Sequence, residues 1–169
     1  MKKIVIILAC TLLTSSVIYA QAGPKIGWIE SAELLQSMPE KAKADSELAH
    51  YQKDFQSQIE LMMKDYQTKV QQYQAGEKTM TDAMKEVKGK EIQDLQSRIE
   101  GIQQSAQEKI QQKKQDVYAP ILDKADKAIK AVAKEHNYDY IIDKSGGALL
   151  YGKDTDNILP LAKAKLGIK

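Results

Sequence analysis

The sequence predicts a mostly helical α+β protein: a small strand-bearing body from which a long antiparallel helical hairpin projects. Three observations carry this. Two heptad-like apolar stripes, one over residues 40–75 and one over 82–136, flank a single break at Ala75-Gly76-Glu77-Lys78. Strand-like segments occur only toward the two ends of the chain. The balance of 43% apolar, 28% charged and 6% aromatic residues in 169 suits long amphipathic helices better than a thick globular core.

Residues 1–22 read as an export signal. Lys2-Lys3 is a positive start, Ile4 to Leu13 an apolar run too short to span a bilayer, and Ala20-Gln21-Ala22 a small-x-small cleavage site. Cleavage is expected after Ala22; Ile18 makes Ala20 the poorer site. Cys10 follows a lipobox-like Ile7-Leu8-Ala9 but lies inside the apolar run, with too few residues ahead of it for processing. Once the leader is removed no cysteine remains, and 23 basic residues face 23 acidic ones. A near-neutral chain without a basic stripe is a poor nucleic-acid binder.

Lys25-Ile26-Gly27-Trp28-Ile29-Glu30 is a short strand with Ile26 and Trp28 on one face. Ser31 is positioned to cap a helical turn carrying Leu34 and Leu35, and Pro39 suits the first turn of the next helix, where its missing N–H has no partner to lose. In the first arm Leu48, Phe55, Ile59, Met62, Tyr66, Val70 and Tyr73 step by three, four or seven, a stripe narrow enough for a two-helix seam.

Gly76 suits a left-handed helix stop, and Thr79 or Thr81 suits the next N-cap, with Thr79-x-x-Asp82 matching a capping box. The tip therefore falls near 76–81. The return arm carries Ile92, Leu95, Ile99, Ile102, Ala106, Ile110 and Val117. Arms of roughly 40 residues would be about 60 Å long. Gly89 and Gly101 each cost the second arm up to about 1 kcal/mol relative to Ala, so it should bend more easily. Pro120 removes a helical hydrogen bond and is the expected kink where arm meets body. Beyond it Ile121, Leu122, Ala125, Ile129, Val132 and Ala133 widen into a face expected to pack on the sheet.

Asn137 supplies a helix stop, Tyr138 to Asp143 a strand, Ser145-Gly146-Gly147 a turn and Ala148 to Tyr151 a further strand. A last helix is expected over Ile158 to Leu166, capped by Asn157 in preference to Asp156. The body thus comprises 23–39 and 121–169, with Ile26, Trp28, Ile29, Tyr140, Ile141, Ile142, Leu149 and Leu150 as its assembly candidates. Three short strands make a marginal core for one chain, and a long hairpin standing alone exposes its stripe; both argue for a homo-oligomer.

No catalytic constellation is legible. His50 and His136 are the only histidines, both expected near the body, with no further metal ligands at hand. Asp154-Thr155-Asp156-Asn157 resembles the start of a calcium loop but lacks its Gly and distant Glu. Lys109, Lys113 and Lys114 read as solvent-facing. No cofactor is expected. The remaining candidates are apolar groups toward the tip: Met62, Met63, Tyr66, Tyr73, Met80 and Met84, of which Met62, Tyr66 and Tyr73 are explained by the stripe while Met63 and Met80 fall off it. Methionine suits surfaces that adapt to many partners.

The opening Lys25-Ile26-Gly27-Trp28-Ile29, the Leu34-Leu35 turn, the charged hairpin and the ending Ala131-Val132-Ala133-Lys134-Glu135-His136-Asn137-Tyr138-Asp139-Tyr140-Ile141-Ile142-Asp143 together resemble the Skp/OmpH family of periplasmic chaperones. The ending is the most specific part. The resemblance implies a homotrimer whose strands form a small β-barrel, with three hairpins around a cavity for unfolded outer-membrane proteins, held without ATP and without enzymatic chemistry. Pro120, Gly89 and Gly101 would then be hinges of the arms. Well-known members are strongly basic, whereas residues 64–90 here carry six Lys against four acids, so only weak membrane or lipopolysaccharide contact is expected. The competing reading is a structural or adaptor coiled-coil protein of the cell envelope.

Overall fold

The computed structural model describes residues 23–168; the predicted export signal lies outside them. The element order is β1 (Ile26–Ile29), α1 (Ser31–Ser37), α2 (Pro39–Gly76), α3 (Asp82–Glu135), β2 (Tyr140–Asp143), a 3-10 turn (Asp154–Asp156) and α4 (Leu159–Lys165). Helices α2 and α3 form the antiparallel hairpin. At 38 and 54 residues they extend about 57 and 81 Å, so the return helix overshoots the outgoing one. The surplus runs into the body, where Ile121, Ala125, Ala128 and Val132 are buried.

β1 and β2 pair in parallel, Ile26 opposite Tyr140 and Ile29 opposite Asp143. On the other side of β1, Trp28 bridges to Asn157, and Ile158 N–H donates to Trp28 O at 2.9 Å. The first strand is therefore central, enclosed by segments from the far end of the chain. Side-chain sharing of a face predicts like burial for Ile26 and Trp28. Instead Ile26 is exposed and Trp28 buried, because only Trp28 is covered by the 152–158 segment. Gly27 is required by packing: a Cβ there would stand 2.9 Å from both Ile141 Cδ1 and Tyr138 Cε1. The core joins both ends of the sequence, with Ile29, Leu34, Met38 and Ala44 against Ile121, Val132, Ile158, Leu159 and Ala162.

Several local expectations change. Ala148–Tyr151 forms no strand; it is irregular chain after the Lys144–Gly147 turn, and Leu150 is 93% exposed. A strand needs an edge to pair with, and within this chain Trp28 and Asn157 already take the free side of β1. Ser31 is not a cap: Glu30 holds that position, and the Ser31 hydroxyl donates to Asp143. Leu122 does not pack on the sheet but is half-exposed. Helix α4 begins at Leu159 with Ile158 at the cap position, although Asn157 Oδ1 still accepts Leu159 N–H at 2.9 Å. Asn137 does stop α3, in the left-handed region at φ 55°. Pro39 begins α2, and Pro120 lies inside an unbroken α3.

At the tip, Gly76 remains helical and is not left-handed. Its carbonyl is satisfied by Thr79 N–H at 2.9 Å, Met80 N–H at 3.1 Å and Thr79 Oγ1 at 3.0 Å. That leaves Thr81 as the true cap of α3, accepting Met84 N–H at 3.3 Å, and the Thr79 capping box does not form. Met80 Cε lies over Gly76, 2.5 Å from where a Cβ would stand, but it is the end of a flexible side chain that can move aside.

Candidate functional site

The arms differ along their length: of the four polar side-chain contacts that link them among the described residues, three lie at the root. At the root, Glu40 pairs with Lys124, Glu47 with Lys113, and the Tyr118 hydroxyl donates to Asp45 Oδ1. Lys41 also reaches Asp45, at 2.7 Å. The Lys41 ammonium, and after it the Tyr118 hydroxyl, hold the Asp45 carboxyl below its ordinary range. The same carboxylate pushes the Tyr118 hydroxyl up. Lys113 is therefore not the free cation the sequence suggests: it bridges the arms, and its ammonium stands 5.9 Å from the Tyr51 ring centroid. Farther out, the one arm-to-arm ion pair among the described residues is Lys69–Glu91 at 3.7 Å.

These pairings set the register. His50, one turn from Glu47, stands level with the Lys113 region, whereas His136 ends α3, 23 residues from Lys113 and so roughly 35 Å away. The two histidines are not brought together near the body. Among the described residues no group of three His, Cys, Asp or Glu could hold a metal ion, and no described helix is long and apolar enough to cross a membrane.

The seam takes the residues the stripe assigns to it. Phe55, Ile59, Met62, Tyr66, Val70 and Tyr73 are half-buried, opposite half-buried Ile92, Ile102 and Ile110 and buried Leu95, Ile99 and Ala106. Of the tip candidates, Met63 is exposed and lines a shallow groove of about 280 Å³ with Tyr66, Gln96 and Ile99. Met84 is half-exposed. Met80 folds back over Gly76 and is only partly accessible. On the outer part of the arms two further apolar residues are exposed that the sequence does not single out: Leu61, 70% exposed, and Val87, 58% exposed. Leu61 stands alone among Ser57, Gln58, Lys64 and Asp65 on its helical face, whereas Val87 shares a face with Ala83 and exposed Met84. Searching for apolar positions off the stripe would have found both.

At the root a second surface opens. Leu35, Tyr118, Ala119, Ile121 and Leu122 line an almost wholly apolar groove of about 490 Å³, with Lys41 and Lys114 on its rim. In the body, the candidate residues split. Trp28 and Ile29 are buried, Ile141, Ile142 and Leu149 are half-buried, and Ile26, Tyr140 and Leu150 face outward.

A long hairpin with polar cross-links at its root and outward apolar groups along its outer part offers many weak contacts. Comparison with known proteins agrees with this architecture. A family model described as outer membrane protein (OmpH-like) matches residues 25–166. The chaperone protein Skp of Vibrio cholerae is 26% identical over 157 residues, covering 90% of this chain and 88% of that protein. The chaperone protein Skp of Photorhabdus laumondii is 25% identical over 158 residues, covering 94% of each. The crystal structure of an OmpH-like protein from Caulobacter crescentus superposes with a TM-score of 0.75 at 13% identity, over 85% of this chain and 83% of that one; at that identity the likeness speaks for the fold.

Proposed function

Because this chain belongs to the OmpH-like family, we propose that it is a periplasmic chaperone that holds unfolded outer-membrane proteins and keeps them from aggregating, without ATP. The observation that carries this reading is the unequal hairpin: root clamped by Glu40–Lys124, Glu47–Lys113 and Asp45–Tyr118, outer part held mainly by its apolar seam. In a homotrimer, with 23–39 and 121–169 as the assembled body, three such hairpins would enclose a cavity. An unfolded β-barrel protein exposes apolar residues at alternate positions. Many weak contacts along movable walls bind such a chain by multivalency while leaving it free to rearrange. The contacts fall to Met63, Met84, Leu61 and Val87 first, with Met62, Tyr66, Tyr73 and Met80 joining them where the seam loosens. Gly89 and Gly101 permit bending of α3, and Pro120 sits at the transition into the body.

Release requires no nucleotide, since folding of the client into the outer membrane removes the apolar surface that the arms hold. The mild excess of two positive charges over residues 64–90 gives anionic lipid little attraction beyond this. The test is dilution of a urea-unfolded outer-membrane protein into buffer with the processed chain at stoichiometric amount. Suppressed light scattering supports the reading, and an unchanged aggregation rate defeats it.

A further inference from the structure

We propose that Met63 and Met84 are an oxidation site: a peroxide converts their thioethers to sulfoxides and so weakens the hold of the arms on client chains, reversibly and with the body left intact. This rests on the proposed chaperone role and goes beyond it by naming a chemical control of the same surface.

The placement of sulfur carries the inference. Methionine stands at positions 1, 38, 62, 63, 80 and 84, and Met1 belongs to the predicted leader. Cys10 belongs to it too, so the processed chain has no thiol to intercept an oxidant and its thioethers take that place. Of the five thioethers that remain, four lie within 62–84, around the turn between α2 and α3. Their exposure is graded. Met84 is 49% exposed and Met63 39%. Met62 is half-buried in the seam, and Met80 is partly covered where it folds over Gly76. The fifth, Met38, is 1% exposed in the core cluster that holds Ile29 and Leu34. A peroxide in solution therefore meets sulfur on the outer arms, while the sulfur of the body is shielded.

The sulfur lone pair attacks one peroxide oxygen. An S–O bond forms as the O–O bond breaks, and the departing oxygen takes the two electrons that sulfur gives up. It leaves as water, carrying the proton of the transferred oxygen. The product is a polar side chain in place of an apolar one. Met63 lines a groove with Tyr66, Gln96 and Ile99, and an apolar client group seated there would strip water from the new oxygen, a cost the thioether does not impose. Met84 shares its face with exposed Val87, and the same cost arises there. Neither side chain packs in the core, so the fold tolerates both sulfoxides, and both stay open to a methionine sulfoxide reductase.

The test treats the full processed chain with hydrogen peroxide, removes the excess with catalase, and maps oxidation at each methionine by peptide mass. Met84 and Met63 should oxidise first, and Met38 only once urea unfolds the chain. The chaperone concentration that half-suppresses aggregation of a urea-diluted outer-membrane protein should rise by about three- to tenfold, as expected for two lost contacts among many. Thermal unfolding should stay nearly unmoved, and a methionine sulfoxide reductase with a dithiol as reductant should restore the untreated value. The double variant Met63→Leu, Met84→Leu, compared only with itself before and after peroxide, should respond by less than about twofold. Sulfoxides at Met63 and Met84 with unchanged holding overturn this inference alone, as does a Leu variant that responds like wild type, or a Met38 that oxidises as fast as Met84. A wild-type chain that fails to suppress aggregation before any peroxide is added overturns the chaperone reading itself.

Discussion

The indole N–H of Trp28, in the first strand, donates to the carbonyl of Lys153 at 2.8 Å, joining positions 125 residues apart. Gly152 lies flat beneath the ring. A Cβ there would stand 2.5 Å from Trp28 Nε1 and 2.6 Å from Cδ1, and a rigid indole between two backbone segments has little room to give. Gly152→Ala should therefore destabilise the body by about 1–3 kcal/mol, as overpacking does. Chemical denaturation would show the earlier midpoint. Emission from Trp28, the sole tryptophan, should shift to longer wavelength as its cover loosens.

The end of β2 is fastened to the start of α1 by one carboxylate. Asp143 accepts the Ser31 hydroxyl, Ser31 N–H and Ser145 N–H. Partial burial pushes its carboxyl up, but these hydrogen bonds outweigh it and leave it below the ordinary range. A folded value below the unfolded one, about 3.9, means the contribution is complete above that pH and disappears as pH falls through the folded value. Urea midpoints of wild type and Asp143→Asn should accordingly differ at pH 7 and converge only as pH falls below the ordinary carboxylate range. A gap independent of pH would contradict the clasp.

Hydrogen exchange should divide the arms. Amides near Glu40, Asp45, Glu47, Lys113, Tyr118 and Lys124, beside the root clamps, should exchange more slowly than those of residues 60–100. Tyr118→Phe, which removes the donor to Asp45 while keeping the ring, should speed exchange at the root and leave the tip unchanged. Uniform protection along the hairpin would argue against a locked root.

Gly89 and Gly101 are open to a side chain: nothing lies within 4 Å of a Cβ placed at either. Replacing both with Ala should stabilise α3 by up to about 1 kcal/mol at each site. If bending of this arm lets it fit clients of different size, the double variant should hold one size class as well as wild type and lose another. Equal activity across client sizes would remove these glycines from the hinge role.

Leu61, Met63, Met84 and Val87 lie outside the packed seam, so polar replacements should leave thermal unfolding nearly unmoved. Multivalent holding predicts a graded response. Single Glu substitutions should each weaken suppression of aggregation by less than about threefold, and the four together should abolish most of it, since each isolated exposed apolar contact contributes on the order of 1 kcal/mol or less. Complete loss from one substitution would point instead to a discrete site.

The long-range periodic features were legible in the sequence and the contact-dependent ones were not. The stripe from Leu48 to Tyr73 names seam residues because a repeat of three and four fixes which side of a helix is covered. Asn137 could be read because a left-handed stop is a local property. Gly76 misled for the complementary reason: a glycine at a helix end suggests a positive φ, but Gly76 stays helical and its carbonyl is taken by the N–H groups of Thr79 and Met80. The Ala148–Tyr151 strand failed because a strand exists only with a partner, and sequence alone does not show that β1 is already flanked by β2 and Asn157. Lys113 looked solvent-facing until the arm register placed Glu47 across from it. Leu61 and Val87 were passed over because a repeat-based reading sees only what repeats.

The parallel pairing of β1 with β2 also constrains the order of events during folding. β1 is synthesised early, and its partners Tyr140–Asp143 and Asn157 come more than a hundred residues later. Bringing such distant segments together from an open chain is slow, because the loop must close before any contact compensates for it. The hairpin needs no such search, since its two halves meet through a short turn and zip from the tip toward the root. Once zipped, it delivers residue 39 and residue 124 side by side, and the remaining closure to β2 spans 10 residues back to Ile29 and 16 on to Tyr140 in place of more than a hundred. The arms are thus the splint on which their own base is set, and a chain whose turn at 76–81 was slow to form would emerge with a first strand that has nothing to join.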